Sequence, residues 1–408
     1  MAKKPQWIVG LALGDRQFTL AVGQILDHGR LLVKALESIP AQGVERGVLS
    51  DAVECSDAIA RLVQQAEKTL STRISKITVA VHGGGLRGGN ANASIPIPDP
   101  GVGISKKDVE RAVSACKTLS LDYDRQLIHT FERGFSVDGQ AGIKDPVGLS
   151  GKKLGVDLHL MTAQNLLIQN LLKVINRAGV EVENLVLPGL AAAEAVLSDL
   201  DRDLGVTLVY IGESQTEILL FTDGAVRETF LVPWGTDHLA ESFSRTLKLP
   251  KANAEQILEQ VKGIEQKPEW AAVPFRFQTG SLVRTIPQEQ VAGILTTKSA
   301  EFLDKVKHRL EDSTYFRESA SGIVMIGELA QLEGFLEASE GALHIPVRLG
   351  TIREIEMDSN LELSAAYTVP IGLLRYSAKK HALAAKTAAG PLWRRCLDKA
   401  HQIFDEYF

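Results

Sequence analysis

The sequence predicts an α/β protein made of two similar lobes that face each other across a cleft. One observation is a strand–turn–strand segment, residues 8–22, that recurs as residues 208–221, with Gly14 aligning with Gly212 and an apolar run on each side of the turn. A second is that each copy continues through another turn, His28-Gly29 or Asp223-Gly224, into a third strand at 31–36 or 225–233. The third is length, since 408 residues exceed what one ordinary core fills. Clefts between paired lobes suit nucleotides. Yet neither turn carries a carboxylate two residues before its glycine, where Ala12 and Tyr210 stand.

Composition narrows the class. Hydrophobic residues make up 45% and charged residues 23%, as in soluble globular proteins. A net charge of −5 argues against general nucleic-acid binding, which needs a basic surface. Cys55, Cys116 and Cys396 are far apart, and neither HExxH nor CxxC occurs, so no metal site and no disulfide framework is expected. The opening Lys3-Lys4-Pro5 and the apolar stretch behind it superficially resemble a signal peptide. Asp15-Arg16 interrupts that stretch, and a first β-strand is expected. No run approaches the ~20 apolar residues of a membrane-spanning helix.

Along the chain, Ile59, Leu62, Val63, Ala66 and Leu70 recur at helical spacing over 54–71 and lead into a strand at 77–81. Residues 82–89 formally match GxGxxG, but 90–100 is polar with three prolines and opens no helix, so a flexible crossover is expected there. Ser105, with Asp108 three residues on, caps a helix that runs to 119. Strands at 126–136 and 153–162 flank the turn-rich 137–148, which together read as an inserted α+β subdomain. A helix at 165–178 ends at Gly179, and a strand follows at 182–187. Pro188-Gly189 opens an apolar helix reaching 200, whose Ala191, Ala192, Ala193 and Ala195 suit tight packing. The second lobe begins at Gly205 and contains a polar helical region over 237–310, a strand at 322–327 and a helix at 328–338. Residues 369–376 cross back to the first lobe.

Several segments, in this order, resemble the FtsA family of bacterial cell-division proteins, within the actin/heat-shock-chaperone/sugar-kinase superfamily. They are Ser136-Val137-Asp138-Gly139, Gly142-Ile143-Lys144-Asp145-Pro146-Val147-Gly148 and His159-Leu160-Met161-Thr162 in the insert, then Leu187-Pro188-Gly189-Leu190-Ala191-Ala192-Ala193-Glu194. Ala254-Glu255-Gln256-Ile257 with Lys262-Gly263, and 323–327 with Ala330-Gln331-Leu332-Glu333-Gly334, continue the match. The resemblance implies two actin-like (RNase H-like) lobes with an FtsA-type insert. The implied divisions are 1–81, 164–204 and 369–385 for the first lobe, and 82–163 for the insert. The second lobe takes 205–232 and 316–368, with a helical subdomain at 233–315; a linker and amphipathic helix occupy 386–408.

The same resemblance implies ATP with magnesium in the cleft. Gly14, Asp15, Arg16, Gln17, Gly212, Glu213, Ser214, Gln215, Thr216, Gly327 and Glu328 match its phosphate-facing and adenosine-facing positions, and Glu255 and Lys262 match the helix that touches adenosine. The departures are chemical. The family has acids where this chain has Ala12 and Tyr210, a Thr or Ser near Asp15, often Lys at Gln17, and a second glycine at Glu328. Phosphoryl transfer needs carboxylates to hold the metal and free N–H groups to cradle phosphate. Hydrolysis is therefore expected to be weak or absent, with no catalytic or metal-binding residue assigned. A shifted site using Ser214, Thr216 and Lys262 stays open.

After Pro391, Trp393, Leu397, Ala400, Phe404 and Phe408 recur at helical spacing. Such a helix either packs on the body or lies in a membrane interface. The aromatics and the Arg394-Arg395 pair favour the interface, with Leu392, Trp393, Arg394, Arg395, Leu397, Lys399, Ile403, Phe404 and Phe408 as the lipid-facing set. FtsA-like proteins end in such a helix. The implied role is a peripheral anchor on the cytoplasmic face of the bacterial membrane, forming filaments and tethering FtsZ through that protein's C-terminal peptide. A PilM-like pilus-assembly scaffold and a nucleotide-hydrolysing actin-like ATPase are the alternatives.

Overall fold

The computed structural model describes residues 6–26, 30–264, 274–279 and 282–388. The expected His28-Gly29 turn and the terminal segment 391–408 lie outside them.

The first lobe opens with strands β1 (Gln6–Leu13), β2 (Gln17–Ile25) and β3 (Leu31–Pro40), and a small hairpin of β4 (Val44–Glu45) and β5 (Val48–Leu49). Helix α1 (Ala52–Leu70) starts where the Asp51 carboxylate accepts the Val53 and Glu54 N–H groups, and β6 (Lys76–Ala80) follows. β1 lies antiparallel to β2 and parallel to β6.

The insert holds β7 (Leu86–Pro96), α2 (Lys106–Ser120), β8 (Arg125–Val137), β9 (Gln140–Ile143) and β10 (Lys153–Gln164). Ser105 and Asp108 make the expected capping box on α2. The flexible crossover predicted over 90–100 is corrected: β7 pairs antiparallel with β10 from Leu86 to Pro96. Ala91 and Ile95 turn inward while the polar residues between them face out, an alternation too thinly apolar to read without its partner strand.

Helix α3 (Asn165–Arg177) and β11 (Glu181–Val186) return to the first sheet, whose order is β11-β6-β1-β2-β3 with a late addition beside β3. The apolar helix expected through 200 is two helices, α4 (Pro188–Val196) and α5 (Asp199–Leu204). The Ser198–Asp201 capping box starts the second, so the chain turns between them.

The second lobe repeats the first. β12 (Val206–Ile211), β13 (Thr216–Thr222) and β14 (Ala225–Val232) form the hairpin and third strand, and β12 runs parallel to β17 (Ile323–Ile326). The sheet order β14-β13-β12-β17-β18 matches β3-β2-β1-β6-β11 strand for strand, with β18 at Val347–Leu349. Between these strands lie α6 (Thr236–Leu247), α7 (Lys251–Gln260) and the long helix Gln288–Glu311. The subdomain expected to be helical also contains a hairpin, β15 (Phe275–Thr279) with β16 (Leu282–Ile286). The helix expected over 328–338 is a short turn at Leu329–Gln331 followed by the helix Phe335–Leu343, because Gly334 sits in the left-handed region and breaks the run.

The return to the first lobe comes earlier than residue 369. Arg353 N–H donates to Ala195 O at 3.0 Å, and β19 (Glu356–Met357) adds to β3. Ion pairs Arg30–Glu356 (3.1 Å) and Lys34–Asp358 (3.0 Å) lie along that edge, and β19, two residues long, is too short to show a pattern in sequence. The closing helix, Thr368–Ala388, runs past the expected boundary at 385 and packs along α4 in the core shared by both lobes.

Candidate functional site

Both hairpin turns close in the same way. Gly14 N–H donates to Gln17 O at 3.1 Å, and Gly212 N–H donates to Gln215 O at 3.0 Å. They sit at the carboxyl ends of β1 and β12, where parallel α/β sheets gather ligands. A cavity between the lobes is lined by Ala12, Gly14, Asp15, Arg16 and Gln17 on one side and by Tyr210, Gly212, Glu213, Ser214, Gln215, Gly327 and Glu328 on the other. Sequence reasoning thus brought most of its candidates to one place. Three lie elsewhere. Thr216 is fully buried, and its hydroxyl donates to Trp234 O at 2.8 Å. Glu255 faces Lys251 along α7 at 3.5 Å. The Lys262 carbonyl accepts the Glu333 N–H at 3.0 Å, and neither Lys262 nor Glu255 lines the cavity. The shifted site built on Ser214, Thr216 and Lys262 is therefore not assembled.

The cavity is dominated by one ion-pair network. The Glu213 carboxylate reaches across from the second lobe and accepts the backbone N–H groups of both Asp15 and Arg16. It also accepts Arg16 Nε at 3.2 Å, while Arg16 Nη2 donates to Thr236 Oγ1 at 3.1 Å and to Glu328. Burial works against the Arg16 charge, but Glu328, Glu213 and Asp237 outweigh it and hold the guanidinium above its ordinary range. Burial pushes Glu213 up to about 7 against the pull of Arg16, with Asp15 and Glu328 adding to the rise. Asp15 accepts Gly47 N–H at 2.6 Å through Oδ1, while its Oδ2 and Asp237 Oδ2 are buried without a hydrogen-bond partner among the described residues.

Glu217, Thr236 and Asp237 were missed from sequence. Glu217 is the one acid in a strand whose other members are all uncharged and buried, and that mismatch was legible. Its Oε2 accepts Gly189 N–H at 2.6 Å, at the start of α4, and burial pushes it up to about 8. Asp237, at the start of α6, rises to about 6 through burial and the nearby Asp15.

These residues do not fit a magnesium–nucleotide. The N–H groups that would cradle phosphate are already taken by a carboxylate. Further carboxylates at Asp15 and Glu328 flank that position, where anions repel. Ala12 and the Tyr210 phenol, lifted above its ordinary range by burial and Glu217, offer no carboxylate to a metal.

Comparison with known proteins fits this architecture. A family profile described as "SHS2 domain inserted in FTSA" matches residues 83–162, and one described as "Cell division protein FtsA" matches 207–369. The chain belongs to the FtsA family of cell-division proteins. FtsA of Pseudomonas aeruginosa is 29% identical over 380 residues, covering 91% of this chain and 89% of that protein. FtsA of Escherichia coli is 27% identical over 388 residues, covering 92% and 91%. Among solved structures, the PilM–PilN type IV pilus biogenesis complex is similar with a TM-score of 0.63 at 14% identity, covering 91% of this chain and 98% of that one. MreB5 of Spiroplasma citri bound to ADP gives 0.55 at 10%, covering 94% and 99%. At such identities these two show the fold, an actin-like pair of lobes. The FtsA assignment thus rests on the two profiles and the full-length relatives.

Proposed function

We propose that this FtsA-family chain is a non-hydrolysing adaptor of bacterial division: it assembles with itself, holds the membrane through residues 391–408, and tethers FtsZ by that protein's C-terminal peptide. Family membership supports the division role. The observation that moves the work away from the cleft is the Glu213 carboxylate seated on the Asp15 and Arg16 N–H groups. With the phosphate position filled and acids around it, ATP turnover is not the useful output of this fold, and surfaces carry the function. The sequence of the terminal segment supplies the anchor, with Trp393, Leu397, Phe404 and Phe408 as its apolar face. No described helix is long and apolar enough to cross a membrane, so a peripheral attachment is the one proposed.

Co-sedimentation with FtsZ polymers on lipid vesicles tests this reading. The full chain should carry FtsZ to vesicles, and the chain lacking 391–408 should bind FtsZ in solution but leave it off the membrane. Equal recruitment by both forms would sink the anchoring claim. Failure of the full chain to bind FtsZ would sink the tethering claim.

A further inference from the structure

We infer that Glu213 is a built-in substitute for a nucleotide phosphate: its carboxylate fills the anion position of the first-lobe turn and, with Arg16, clasps the two lobes together without any ligand. Consecutive backbone N–H groups in a tight glycine turn form a concave anion-binding site. Here the Asp15 and Arg16 N–H groups point at one oxygen, Glu213 Oε2, delivered from the opposite lobe. The fit is close: a Cβ built on Gly14 would lie 3.0 Å from that oxygen. Glu213 is itself fixed from behind, because its carbonyl accepts the Asp237 N–H at 2.9 Å and Gly212 O accepts the Thr236 N–H at 3.1 Å. The start of α6 thereby locks the turn that presents the carboxylate.

Arg16 completes the clasp. Its guanidinium reaches the β12–β13 turn through Glu213, the start of α6 through Thr236, and the segment after β17 through Glu328. All three belong to the second lobe and border the cleft. A second rung lies at the mouth, where Arg46 of the β4–β5 hairpin pairs with Glu241 of α6 and Gly47 N–H holds Asp15. A free phosphate would have to displace a carboxylate tethered in the same molecule, which keeps a high effective concentration at the turn. The closed arrangement is therefore independent of nucleotide. It rests on the same Glu213 contact that makes the adaptor reading non-hydrolysing, but it is tested without FtsZ or lipid, so the tethering and anchoring claims can fail or stand separately.

Hydrogen–deuterium exchange on the full-length chain, with and without millimolar magnesium–ATP, reads the clasp over residues 13–18, 211–216 and 235–238. In the native chain, exchange in these segments should be unchanged by magnesium–ATP. In Glu213→Ala it should be about tenfold or more faster, the scale of losing a charged hydrogen bond, while α1 and its sheet stay as they were. Glu213→Gln keeps a neutral acceptor of the same size and should fall between, which preserves the reading if the alanine variant is unfolded. Added protection of the native chain by magnesium–ATP overturns the inference. So do variants whose turns exchange at the native rate.

Discussion

Glu217 and Asp237 are two carboxyl groups kept from water beside one cleft, and burial lifts them to about 8 and about 6 from ordinary values of 4.5 and 3.8. In the folded chain each keeps its proton at a pH where the unfolded chain has released it. Each therefore contributes stability that is complete below its ordinary value and is lost as pH rises through its folded value. His129 and His159 work the other way. Burial lowers both to about 4, with Lys380 and Arg133 adding to the effect, so their contribution is complete above 6.5 and is lost as pH falls toward 4. Their neutral rings have structural tasks. His129 Nε2 accepts the Leu187 N–H at 3.1 Å, and His159 Nε2 accepts the Thr229 N–H at 3.1 Å. Between about pH 6.5 and 8 the carboxyl groups govern, and the thermal midpoint should fall as pH rises. Glu217→Gln should flatten that slope. A midpoint that climbs over this range, or a slope unchanged in the variant, contradicts the assignment.

At the scale of elements, the tightest packing is α4 against the closing helix. Ala191, Ala192, Ala193 and Ala195 are fully buried, and a Cβ on Gly372 would lie 1.8 Å from Ala191 O. The backbones touch there, so no rotamer relieves an added methyl group. Gly372→Ala should cost about 3 kcal/mol, at the upper end for overpacking, read as a lower denaturant midpoint. Gly293 in the long helix Gln288–Glu311 has open space around its Cβ position, and Gly293→Ala should instead add about 0.5–1 kcal/mol. If both changes act alike, the close approach of the two helices is wrong. The alanine face was legible because it lies within one turn-by-turn pattern, and the repeated hairpins were legible because apolar runs and glycines lie side by side. β7 was not, since its partner β10 lies more than fifty residues on and few of its own residues are apolar. The charges at Arg16 and Glu213 were visible, but their pairing across 197 positions was not. Sequence patterns report what neighbours along the chain share, and the clasp is made of residues from different lobes.

Across the whole molecule the lobes are joined at several places besides the cleft. The insert grows from the first lobe and grips β14 of the second. Arg227 donates to the carbonyls of Glu132 at 3.1 Å and Arg133 at 2.9 Å, Lys144 pairs with Asp223 at 2.7 Å, and the Arg133 guanidinium lies 5.1 Å from the Tyr315 ring centroid. A body held in this way presents fixed surfaces, which suits assembly into filaments. Assembly is also what the proposed anchor needs, because one short amphipathic segment binds lipid only reversibly and many copies in a row multiply its hold. The charges of that segment bear on how the proposed anchor would bind. Arg394, Arg395 and Lys399 are offset by Asp398, Asp405 and Glu406, so attraction to anionic lipid nearly cancels and the aromatic and aliphatic residues must supply the affinity. Vesicle sedimentation of the full chain should therefore rise steeply with protein concentration yet change less than about threefold between low and high salt, where a basic anchor would lose far more. Neutral vesicles should capture it nearly as well as anionic ones. A strong loss on adding salt, or capture by anionic vesicles alone, would show that a basic surface elsewhere on the chain makes the contact, and that the segment does not anchor by its apolar face.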